Sequence, residues 1–213
     1  MDYSYNASFL VNHEDGIITK ANGSNTTQIN WECNNHGEIA SGSGVLSLNN
    51  GGTSSGLFKS DADTGIQFNG GTHTLLDGSR FSGPIHLANG TVTRDGTLLS
   101  DEANPAALEI LNGTFNGNGS LEGPWTVNWI NGTISGTLNA GTDVVLNVNG
   151  ASNKNLFAAT FNNYGVFNWN GGRAIYSYAF DPNDRSTFNN MENAVFNIAA
   201  DGDVFDVNYT SSI

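Results

Sequence analysis

Few groups in this chain can do chemistry, and their spacing narrows what that chemistry is. The acidic pairs are Asp61-Ala62-Asp63, Asp181 with Asp184, and Asp201-Gly202-Asp203. Calcium takes six to eight oxygen ligands, yet each pair supplies two carboxylates, and no glycine- and aspartate-rich nonapeptide repeat accompanies them. They read as turn aspartates, with Asp201 and Asp203 kept as the metal candidates and calcium as the only cofactor to be weighed. His13, His36, His73 and His86 lack metal-ligand spacing, and neither a Ser-His-Asp nor a Cys-His arrangement can be assembled. Glycoside cleavage needs two carboxylates facing one bond, and no such pair stands out.

Two further groups point to carbohydrate. Eight Asn-x-Ser/Thr sequons occur, at Asn6, Asn22, Asn25, Asn89, Asn112, Asn118, Asn131 and Asn208. Asn89, Asn112 and Asn131 lie in a recurring Asn-Gly-Thr turn that backbone geometry already explains, so Asn6, Asn22, Asn25 and Asn208 are the glycosylation candidates. Among the aromatic residues, Trp125 after Pro124, and Tyr176 and Tyr178 in a long interval, are not placed by any repeat, which makes them the candidate sugar-stacking rings.

The elements that must position these groups are unusually regular. An apolar-polar-apolar triplet returns as Ile29-Asn30-Trp31, Leu46-Ser47-Leu48, Ile66-Gln67-Phe68, Ile85-His86-Leu87, Leu108-Glu109-Ile110, Val127-Asn128-Trp129, Leu146-Asn147-Val148 and Phe167-Asn168-Trp169. The starts lie 17, 20, 19, 23, 19, 19 and 21 residues apart. Period-two alternation marks strands with one buried face, and a fixed spacing in this range marks a solenoid. Most triplets run into Asn-Gly, whose residues tolerate positive φ and mark a bend. Asn-Gly is also a strong hairpin signal, so an all-β sandwich or barrel is the competing fold. Only a solenoid requires the same triplet to return at one register. The expectation is therefore an all-β, right-handed parallel β-helix of about 20 residues per coil. The first and third triplet residues, including Trp31, Trp129 and Trp169, should be buried and the middle one exposed.

Along the chain, residues 1–28 are less regular and read as an N-terminal cap or entry coil, and 29–213 as the solenoid. Extra sequence near 94–107 and 173–187 reads as loop insertions, the second followed by Phe196-Asn197-Ile198. The phrases FNGGTHTLLDGSRFSG, WTVNWINGTISGTLNAGTDVVLNVNG, TFNNYGVFNWNGG and FNNMENAVFNIAADGD resemble the degenerate repeats of large secreted or surface-exposed microbial proteins that form right-handed β-helices, adhesin and autotransporter passengers among them. The resemblance spans roughly 29 to 207. It implies an architecture and brings no catalytic residues with it.

Composition restricts the partners. Twenty acidic residues against seven Lys and Arg give a formal charge of −13, and no basic stripe can be built, so nucleic acid and anionic membrane surfaces are excluded as partners. No apolar run approaches the ~18 residues of a membrane helix, and the first residues do not open a signal peptide. The neutral polar surface reads as extracellular or cell-surface. Cys33 is either a small buried residue or an intermolecular bridge. The outward triplet column (Asn30, Ser47, Gln67, His86, Glu109, Asn128, Asn147, Asn168, Asn197) is mostly amide, with Glu109 its only carboxylate. The functional expectation is a non-enzymatic structural or adhesive element of a cell surface or filament, joined through its ends to other copies or continuing in a longer chain. A polysaccharide-binding module or a polysaccharide-degrading β-helix enzyme is the alternative. Ice binding needs a regular threonine array, and only pairs such as Thr72/Thr74 and Thr91/Thr93 are visible.

Overall fold

The computed structural model describes residues 8–178 and 185–208. Every strand pairing among them is parallel, which rules out the hairpin reading of the Asn-Gly turns. Three ladders of strands run the length of the molecule and form a parallel β-solenoid of about eight turns, about 21 residues each. The triplet face stacks Thr26–Ile29, Val45–Leu48, residues 65–68 and 84–87, then Ala107–Ile110, Thr126–Trp129, Val145–Val148, Val166–Trp169 and Val195–Ile198. The second face follows each Asn-Gly corner and begins with Phe9–Asn12 on Glu32–Asn35. The third face begins with Ile17–Lys20 on Glu38–Ser41. In mid-molecule, strands such as Pro84–Ser100 bend around the corners and serve more than one face.

The core consists of columns of identical positions. From Leu46 to Trp169, the first and third triplet residues are buried in every coil, so each apolar side chain rests on its counterparts one coil away, the nearest-neighbour packing that stabilises solenoids. Phe58 lies 5.3 Å from both Phe68 and Phe81, and Phe161 stacks on Phe188 at 5.2 Å.

The first coil departs from the expected register. Thr27 pairs with Leu46 and Ile29 with Leu48, so Thr27-Gln28-Ile29 is its triplet and the first interval is 19 residues. Trp31 lies beyond the strand and is 56% exposed instead of buried. The middle position also differs from expectation, since Ser47 is buried and Gln67 through Asn168 are half-buried. On a flat parallel stack each outward side chain is shielded by the ones above and below it.

The three strands within residues 9–29 all pair in parallel with those of the next turn. The first insertion is shorter than expected, since residues 94–100 remain in strand Pro84–Ser100 and only 101–106 loop out. Asp101 organises that loop, and its carboxylate, accepting from the amides of Ala103 and Asn104, is held below the usual range. In the second insertion Ile175–Tyr178 is a strand of the second face; Asp181 and Asp184 lie outside the described residues.

Arg94, expected in a surface loop, points into the core and is 1% exposed. Its guanidinium lies 4.1 Å over the Phe115 ring and donates from Nη2 to the carbonyls of Gly117 and Ser135 at 2.9 and 3.2 Å, while Nε and Nη1 have no protein partner. Burial brings its pKa down to about 9. Lys154 serves the same end elsewhere, its buried amine donating to the carbonyls of Gly150 and Ser152. These inward cations satisfy corner carbonyls that the ladders leave unpaired.

Candidate functional site

The Asn-Gly corner separates two tasks that the sequence ran together. Among described residues only Asp15, Ala158 and Asn193 take positive φ without being glycine. In the corner 89–91 it is Gly90 that adopts φ +78, and the asparagine is free to use its side chain. The asparagines bond to one another: the Nδ2 of Asn49, Asn69, Asn89, Asn112 and Asn131 donates to the Oδ1 of the asparagine one coil earlier, starting at Asn30, at 2.7 to 3.4 Å. A second amide ladder runs up the triplet face through Asn128, Asn147, Asn168 and Asn197 at 2.8 to 3.1 Å. A third links Ser120, Asn139, Asn162 and Asn189 on the third face. Each ladder spends donors and acceptors that would otherwise face water on holding coil to coil.

Beside the corner ladder, stacking assembles the threonines. Thr72, Thr91, Thr114 and Thr133 form one outward column, and Thr53, Thr74 and Thr93 the next. Asn116 and Ser135 continue the second column, joined at 2.8 Å. The pairs seen in the sequence are thus parts of one array over five coils, and none of its positions is charged. Tyr176 stands two coils above Thr133 in the first column, over Asn155, and is half-buried.

The remaining expected site residues are dispersed. Trp125 is 2% exposed, its ring 5.3 Å from Phe81, so it offers no face to a sugar; it lies two places before Val127, where strand alternation turns a side chain inward. The backbone of Tyr178 and of Asn208 is strand, but their side chains and all of Asn6 lie outside the described residues. Asn22 and Asn25 are exposed. The side chains of Asn89, Asn112 and Asn131 belong to the corner ladder. Asp201 and Asp203 are exposed in a bend, and no three His, Cys, Asp or Glu among the described residues gather as metal ligands. Glu109 meets His86 at 3.1 Å, the one such pair among the described residues. His73 is buried against Phe68 with Nε2 3.0 Å from the Gly70 carbonyl, and burial holds its pKa down to about 4. Cys33 is buried, which pushes its thiol up to about 11 and leaves the bridge reading without an accessible sulfur.

One concave feature was not anticipated. On the third face, Ser120, Glu122, Asn139, Gly141, Thr142 and Tyr164 line a groove of about 350 Å³. The register that pairs Leu121 with Ala140 and Ala140 with Asn163 places Glu122, Gly141 and Tyr164 in one outward column over three successive coils. The backbone bonds Gly141 N to Leu121 O (3.0 Å) and Tyr164 N to Ala140 O (2.9 Å) extend that register to the three residues. A glycine between two long side chains opens the gap. A Cβ at Gly141 would lie 3.0 Å from Glu122 Oε2 and 2.8 Å from the Leu121 carbonyl, filling the floor. The only sequence signal was the glycine in an otherwise long-side-chain column, which cannot be seen before the register is known.

Comparison with protein-family models, with curated proteins and with solved structures returns no match.

Proposed function

We propose that this chain is a non-enzymatic, extracellular structural or adhesive element, a rod segment of a cell surface or filament. The observation that carries this reading is the use of outward amides to lock coil to coil along three columns, which stiffens the rod. The net charge of −13 on a neutral polar surface suits an exposed, soluble rod. Ile198, Phe205 and Val207 continue inward columns in the last described coil and are 60%, 44% and 44% exposed, which supports joining through the end to another copy or to further chain. Repulsion between acidic copies is screened by salt, so light scattering and electron microscopy should show end-joined particles growing with salt concentration. Single rods under every condition would refute the end-joining. Incubation with neutral and acidic polysaccharides should release no new reducing ends or unsaturated products; their appearance would make the protein an enzyme.

A second reading rests on the threonine array. Its hydroxyl and methyl groups repeat at roughly 4.8 Å between coils and, in the two coils that carry both columns (Thr72/Thr74 and Thr91/Thr93), about 6.6 Å along the strand, near the oxygen repeats of hexagonal ice, on positions that carry no charge and are stiffened by the adjoining asparagine ladder. We infer that this face seats on ice. The protein should inhibit ice recrystallisation at micromolar concentration, and Thr91→Lys should abolish the effect while Asn147→Lys, on the triplet face, leaves it. No inhibition by the unaltered protein would overturn this reading.

A further inference from the structure

We propose that the groove between Glu122 and Tyr164 binds a neutral saccharide unit. The inference deepens the adhesive reading, on which it rests, by naming what is held and where. Glu122 and Tyr164 start from backbones two coils apart, roughly 9.6 Å at the parallel-strand spacing; Gly141 puts no side chain between them, and the Glu122 carboxylate leans over it. A sugar ring has an apolar face of C–H groups and an edge of hydroxyls, and the groove offers a match for both. Tyr164, 39% exposed, supplies the aromatic wall. Glu122 supplies two acceptor oxygens, the arrangement that takes two neighbouring hydroxyls. Asn139 and Thr142 add polar groups at the floor and rim.

The site is also held rigidly. Asn139 donates to Ser120 Oγ at 3.3 Å and accepts from Asn162 at 2.8 Å, so the floor belongs to the third-face amide ladder. Little has to be ordered on binding, which lowers the cost of association. The volume falls in the range of small-ligand sites.

Charge selects the class of sugar. Glu122 has no cationic partner among the described residues, and the chain carries −13, so uronic and other acidic sugars are repelled. Glu122 is also the one carboxylate lining the groove, where glycoside hydrolysis needs two. The site holds a sugar and leaves its bonds intact.

Affinity electrophoresis of the full chain through gels carrying β-glucan, mannan, galactan, pectate or alginate tests this directly. At least one neutral polysaccharide should retard the unaltered protein, and pectate and alginate should not. Tyr164→Ala and the near-isosteric Glu122→Gln should each weaken retardation by about tenfold, a change of ~1.4 kcal/mol, with circular dichroism unchanged. Retardation by the acidic polymers alone, none by the neutral ones, or neutral-polymer retardation that both variants leave intact would each overturn the proposal. Such a failure is separable from failure of the adhesive reading, which the scattering measurement decides without any sugar present.

Discussion

Trp129→Asp is expected to unfold the protein at room temperature. Trp129 is fully buried in mid-stack, in the inward column between Ile110 and Val148. Removing a buried tryptophan alone costs about 3–5 kcal/mol, and a carboxylate left there without a partner adds several more. The sum reaches the whole stability of an ordinary domain, about 5–15 kcal/mol. Position aggravates the loss, because a stack held by neighbour contacts is cut into two shorter stacks at the damaged coil. Far-ultraviolet circular dichroism should show the strand signal gone, while Asn128→Asp, one residue away on the outward side, keeps it. A Trp129→Asp variant melting within a few degrees of the parent would mean that this column is not the core.

Gly52→Ala should destabilise by about 3 kcal/mol or more, at the upper end of the range for a strained backbone position. Gly52 sits at φ +134, where residues with a Cβ rarely go. It also has no room: an added Cβ would lie 2.1 Å from the carbonyl oxygen of Cys33 and 2.6 Å from its carbon. Both are backbone atoms of the coil below, so no side chain can swing aside. Gly78 provides the comparison, since it has φ +79 but nothing within 4 Å of an added Cβ. Gly78→Ala should cost about 1 kcal/mol, the backbone preference alone. Denaturant unfolding of the two variants separates the contributions; equal losses would show that close coil-to-coil approach at Gly52 is unimportant.

How much could be read in advance varies with how local the deciding physics is. From Leu46 to Trp169 the triplets identify the buried columns, because alternation within a strand is a property of four neighbouring residues. At the first coil the same rule points to Ile29-Asn30-Trp31, whereas pairing with Val45–Leu48 selects Thr27-Gln28-Ile29, whose first residue is polar and gives no such signal. Trp125 falls outside the triplets, yet alternation run two places back from Val127 points it inward, as the structure has it. Arg94 was not legible, since a cation in a polar stretch reads as surface until the ring of Phe115 and the carbonyls of Gly117 and Ser135, brought from later coils, are seen around it.

The sequence by itself determined the repeated coil, the inward residues of the triplet face from Leu46 to Trp169 and the positions of the corners, all set by alternation and by glycine's backbone freedom within a few residues. It also determined a surface poor in cations and rich in amides. Tertiary stacking alone decided that the Asn-Gly corners turn into parallel coils and not hairpins, and that their asparagines bond to one another. It likewise decided that seven threonines form one array and that Glu122, Gly141 and Tyr164 enclose a groove. These partners lie 19 to 23 residues apart in the chain and about 4.8 Å apart per coil in space. A one-residue slip in the pairing of one coil on the next would turn a column to the opposite face, so what the surface displays depends on register, and register is fixed only when one coil packs on the next.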